Sequence, residues 1–124
     1  MKKVLSLIAV VMITAMGFGQ TSVKFTDAKA GYDKTATTSF NFLFGPEIQK
    51  DEIDNSAAYY ESYFSVSVNP AENGNNVTIT LVEDNDMSRR VILRLFVSLE
   101  VNNIEAEGQK MDKNDFMTKY IWLD

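Results

Sequence analysis

Between Phe64 and Leu81 the chain alternates apolar and polar residues twice, on either side of a turn-rich centre. Phe64, Val66 and Val68 alternate with Ser65, Ser67 and Asn69, and Val77, Ile79 and Leu81 alternate with Thr78 and Thr80. The intervening Pro70-Ala71-Glu72-Asn73-Gly74-Asn75-Asn76 contains Asn-Gly, a dipeptide that readily takes the positive φ of a tight hairpin turn. The pair predicts a β-hairpin with one apolar face, and the flanking segments must cover that face.

Upstream, Phe40, Phe42 and Phe44 point to one side of a predicted strand over 39–44 and Asn41 to the other. Gly45-Pro46 breaks that strand, and Pro46 suits the first turn of a helix. Ile53, Ala57, Tyr60 and Phe64 then step at helical spacing. Downstream, Asp84-Asn85-Asp86 offers helix caps. Met87, Val91, Leu95 and Leu99 form a stripe that Ile92 and Phe96 widen. Asn102-Asn103 predicts a left-handed stop, Ile104 to Glu107 a short strand ending at Gly108, and Asp112 a last helix carrying Phe116, Tyr120 and Ile121. Residues 20–38 show only a weak alternation at Val23 and Phe25 and are expected to be a flexible arm or a short edge strand. The order is β-α-β-β-α-β. It predicts an α+β domain over 39–124, ferredoxin-like, with a four-stranded antiparallel sheet, two helices on one face and a C-terminal helix. The opposite sheet face would carry Asn41, Ser65, Ser67, Thr78 and Thr80.

Composition narrows the chemistry. The 124 residues include no cysteine and no histidine, so thiol nucleophiles, disulfides, zinc fingers and imidazole bases are excluded. A net charge of −5 argues against nucleic acid and anionic membranes as partners. The amino terminus reads as an address. Met1-Lys2-Lys3 precedes an apolar run from Val4 to Met16, and Gly17-Phe18-Gly19 supplies small residues at a cleavage site. The run is shorter than the about 20 apolar residues a membrane-spanning helix needs. Residues 1–19 are therefore expected to be a bacterial signal peptide, with Gln20 the first mature residue and a secreted or periplasmic destination. Cleavage removes Lys2 and Lys3 and no acid, leaving the exported part more acidic still.

Residues 39–108 resemble the heavy-metal-associated domain in element order, element lengths and hairpin position. Asp86 to Ile92 and Ile104 to Ala106 are similar to that family's second helix and last strand. The resemblance implies the ferredoxin-like fold. Family members hold metal through Cys-x-x-Cys between the first strand and first helix. The corresponding Gly45-Pro46-Glu47-Ile48-Gln49 has no sulfur ligand, so no metal-binding residue carries over.

Four polar or aromatic groupings remain as candidates. The run from Glu83 to Ser88 resembles the start of a calcium loop, but the glycine and glutamate such a loop requires are replaced by Arg89 and Leu95. Glu47, Asp51, Glu52 and Asp54 read as a cation site or as a solvated helix start. Arg89, Arg90 and Arg94 crowd one helix end. They either pair internally with Asp86, Glu83 or Asp84, or receive an anion or acidic protein. Tyr59 and Tyr63 stand four apart and either form an exposed aromatic patch or sit half-buried at a boundary. The expectation is an exported, non-catalytic module without a cofactor, binding an unknown protein or a small anionic ligand. The alternative is a metal-handling protein that uses carboxylates or has lost its metal.

Overall fold

The computed structural model describes residues 22–123, so the predicted signal peptide lies outside the described residues. The predicted hairpin is present. β3 (Phe64–Ala71) pairs with β4 (Gly74–Leu81) in antiparallel register from Phe64 opposite Leu81 to Ala71 opposite Gly74. The turn is only Glu72-Asn73, tighter than the seven-residue segment suggested. Gly74 follows it at φ 141°, and a Cβ there would stand 1.9 Å from the Phe44 carbonyl oxygen. Only glycine lets the hairpin approach the strand beside it this closely.

That strand is β2 (Ser39–Phe44), which pairs antiparallel with β4 on one side and with β1 (Val23–Phe25) on the other. β1 also lies parallel to β5 (Asn103–Ala106), and β5 turns back antiparallel into β6 (Gln109–Asp112). Among the described residues the sheet therefore has six strands in the order β3-β4-β2-β1-β5-β6 and is mixed. This corrects the expected four-stranded antiparallel sheet. β1 is an interior strand, not an arm or an edge. Its three residues are too few for periodicity to announce, but Val23 and Phe25 are both buried. β6 lacks an apolar alternation because it is an exposed edge. It is set instead by Glu107-Gly108, a two-residue turn with positive φ at both positions.

The helices pack on one face. α1 (Lys50–Ala57) begins later than Pro46 suggests, because the Glu52 carboxylate accepts from the Gln49 backbone N–H at 3.0 Å and fixes the start there. It ends in a 3-10 turn over Ala58–Tyr60, and Phe64 belongs to β3 rather than to the helical stripe. α2 (Asp86–Ser98) is capped by the Asn85 side chain, which accepts from the Ser88 N–H at 2.8 Å. It buries Val91, Ile92, Leu95 and Phe96 but leaves Met87 exposed. The left-handed stop after it is Glu100, at φ 60°, not the Asn102-Asn103 pair. α3 (Lys113–Phe116) is capped by Asp112 and continues through a π-helical turn over Met117–Ile121. Aromatic rings join the layers: Phe42 meets Phe96 at 5.2 Å and Phe25 meets Phe116 at 5.1 Å between centroids. Such pairs add about 0.5–1.5 kcal/mol each beyond simple burial.

Candidate binding cleft on the open face of the sheet

Because α1, α2 and α3 sit on one side, the alternate residues of the strands face outward. Asn41 and Thr78 join side chains across β2 and β4 at 2.7 Å, and the Ser39 and Thr80 hydroxyls lie 3.2 Å apart. Asp27 accepts from the Asn41 backbone N–H at 2.9 Å and from its side-chain amide. This half of the face is a mesh of hydroxyl and amide groups with one carboxylate, Asp27, satisfied by one another.

The other half differs. Lys24 of β1 lies opposite Glu105 of the parallel β5, and Glu105 lies opposite Lys110 of the antiparallel β6. Residues opposite one another on neighbouring strands share a face, so these side chains form a row of cation, anion, cation. The row borders a cleft of about 310 Å³ in which Leu43 and Pro46 supply apolar surface and Asn73, Asn103 and Ser22 supply hydrogen-bonding groups. The turn after β2 closes one end, where Glu47 accepts a hydrogen bond from the Ser22 N–H. Among the described residues, ion pairs within 4 Å join Lys50 to Asp54 and Arg89 to Asp84, and neither takes up Lys24 or Lys110. The cleft thus presents two ammonium groups and the Glu105 carboxylate beside an apolar patch, with the Glu47 carboxylate at one end engaged by the Ser22 N–H. That arrangement can hold an anionic group by charge and orient the remainder by amide contacts and apolar packing.

The three arginines singled out from the sequence do not form one surface. Arg89 is fully buried, and all five of its N–H donors are used. Nε and Nη2 bind the Asp84 carboxylate at 2.7 and 3.2 Å, and Nη2 also donates to the Thr37 carbonyl at 2.7 Å. Nη1 donates to the carbonyls of Lys34 at 3.0 Å and Ile121 at 2.8 Å. Its guanidinium stands 5.5 Å from the Phe40 ring centroid. Arg89 ties α2 to the segment before β2 and to the C-terminal turn, and its guanidinium has no donor left for a ligand. Its hydrogen bond holds the Asp84 carboxyl below the usual carboxylate range. Arg90 is solvent-facing and lies 5.0 Å over the Trp122 ring, and Arg94 is exposed one turn further along.

Tyr59 is 84% exposed, whereas Tyr63 is half-buried against the core, so the two do not present one aromatic patch. The acidic grouping is likewise dispersed. Glu47 receives the Ser22 N–H, Glu52 caps α1 and Asp54 pairs with Lys50 at 2.7 Å. No cluster of three carboxylates able to hold a metal ion occurs among the described residues. Lys24, Glu105 and Lys110 escaped the sequence reading. Each has a local signal, a charge at an outward strand position, but only the sheet order brings them into one row.

Comparison with protein-family models, with curated proteins and with solved structures yields no match for this chain. Among the described residues, no helix is long and apolar enough to cross a membrane.

Proposed function

We propose that the protein is an exported, non-catalytic binding module that takes a small anionic ligand in the cleft between β1, β2, β5 and β6. The observation that carries this reading is the pair of lysines, Lys24 and Lys110, which join no ion pair within 4 Å among the described residues and stand beside a cleft of about 310 Å³ in a chain of net charge −5. Small-molecule sites start at about this volume and combine apolar lining with a few convergent polar groups. The element series from β2 to β5 is what supports a ferredoxin-like relationship, with β1 inserted between β2 and β5 and β6 added at the edge. The layout of residues 1–19 supports export. The resemblance to heavy-metal-associated domains supports that relationship alone. The metal-handling alternative lacks a donor set among the described residues.

The test is an NMR titration of the exported chain with inorganic phosphate and with small mono- and dicarboxylates. Saturable shifts centred on Lys24, Leu43, Asn103 and Glu105 are expected with at least one of these anions. They should weaken with added salt and vanish in a Lys24→Ala/Lys110→Ala variant. Shifts that map elsewhere, or binding unchanged in the double variant, would refute the assignment.

A further inference from the structure

The two edges of the sheet are not alike. β6 is four residues long, carries Lys110 and Asp112, and passes directly into α3. Short, charged edges of this kind resist pairing with another chain. β3, at the other edge, runs for eight residues, Phe-Ser-Val-Ser-Val-Asn-Pro-Ala, with no charge anywhere along it. Its one protective residue is Pro70, near its end.

The hydrogen-bond parity of β3 shows which groups face outward. The Tyr63 carbonyl accepts from the Val82 N–H at 3.0 Å, and the hairpin closes at Ala71 opposite Gly74. Antiparallel ladders alternate between residues that bond their neighbour and residues that turn away from it. Odd-numbered residues of β3 therefore bond to β4. Phe64, Val66 and Val68 turn their N–H and C=O groups to the open edge.

We propose that this edge pairs with the same edge of a second copy of the chain, antiparallel, about a two-fold axis at Val66. The strand is self-complementary in that register. Val66 faces Val66 of the second copy, and Phe64 faces its Val68, on the side of the sheet that carries the core. Ser65 faces Ser67 of the second copy on the open side. All three outward-facing residues fall in bonded pairs, which supplies on the order of six backbone hydrogen bonds. Pro70, which has no N–H, lies beyond the paired stretch, so its position limits the ladder without breaking it. Burial agrees with this arrangement. Phe64 and Val68 are buried in the monomer, but Val66, at the two-fold, is only partly covered. A closed two-fold contact of this kind uses the same patch on both copies and stops at a dimer.

Sedimentation equilibrium on the exported chain tests the proposal. A concentration-dependent mass of two chains is expected, and a single-chain mass up to about 0.5 mM would overturn it. Ser65 and Ser67 are exposed, so Ser65→Lys/Ser67→Lys leaves the monomer's packing intact, as near-ultraviolet circular dichroism would verify. Placing lysines opposite one another should weaken dimerisation by about tenfold or more, and a dimer as tight as wild type would overturn the proposal. The register has its own check, because the chain has no cysteine. Positions 65 and 67 form a non-bonded cross-strand pair with Cβ atoms about 4.5–5.5 Å apart, close enough for a disulfide to form with slight adjustment. Under mild oxidation an equimolar mixture of Ser65→Cys and Ser67→Cys chains should give a covalent dimer far more readily than either variant alone. Equal cross-linking by the Ser65→Cys chain alone would overturn the pairing.

Discussion

Replacing Arg89 by methionine keeps most of the side chain's length and apolar stem but removes five hydrogen-bond donors. The loss falls unevenly on the acceptors left behind. The Asp84 side chain is 35% exposed, so water can take over its bonds at little expense. The bond to the Ile121 carbonyl is fully buried, and leaving that acceptor unpaired costs about 1–3 kcal/mol. The carbonyls of Lys34 and Thr37 are partly buried and contribute nearer the lower end, about 1 kcal/mol each. The sum, about 3–5 kcal/mol, matches what breaking a buried ion pair costs by removal of one partner. For a domain of this size it corresponds to a fall in Tm of roughly 15–30 °C. Urea unfolding of wild type and Arg89→Met, fitted with a common slope, measures the difference directly. Native-state hydrogen exchange should show the largest local loss of protection in residues 34–37, which Arg89 holds to α2. Arg94→Met, on the exposed side of the same helix, should stay within about 0.5 kcal/mol of wild type. If Arg89→Met also lost less than about 1 kcal/mol, the guanidinium would not be what joins these segments, and the reasoning would fail.

Two further perturbations follow from the same geometry. Gly74→Ala forces a Cβ to within 1.9 Å of the Phe44 carbonyl at a positive φ, so it should destabilise the domain by about 2 kcal/mol or more, visible as a lowered Tm. The carboxyls of Asp84, Asp33 and Asp112 are all held below their ordinary value of 3.8, Asp84 by the Arg89 side chain, Asp33 by the Thr35 side chain and Asp112 by the Asn114 backbone N–H. A depressed folded-state pKa stabilises the fold above the unfolded value and loses that contribution as pH falls through the folded value. From these groups Tm should be level near neutrality and fall below about pH 4, and Asp84→Asn should flatten part of that fall. A Tm profile with the same acid slope in Asp84→Asn would count against the Arg89–Asp84 assignment.

How much was readable in advance differs from element to element for physical reasons. The β3–β4 hairpin and the buried stripe of α2 were legible because each buries one face over many residues, so periodicity accumulates. Asn85 was legible as a cap because its work is local, reaching only to Ser88. β1 was not, since three residues hold too little pattern. For Arg89 the sequence offers internal pairing or an anion, and the pairing with Asp84 is local enough to be legible there, but its full burial is not, because that depends on carbonyls at positions 34, 37 and 121. The cleft was hidden for the same reason. Lys24, Glu105 and Lys110 come from three strands, one of them more than eighty positions from the others.

From the sequence alone, the exclusion of cysteine and histidine chemistry, the α+β class and the hairpin could be established, because residue type and short-range spacing decide them. Tertiary structure decided which strand lies between β2 and β5, which arginine is internal and which charges share a face. Those outcomes turn on contacts between residues far apart in the chain, where burial rather than local preference determines what a side chain meets.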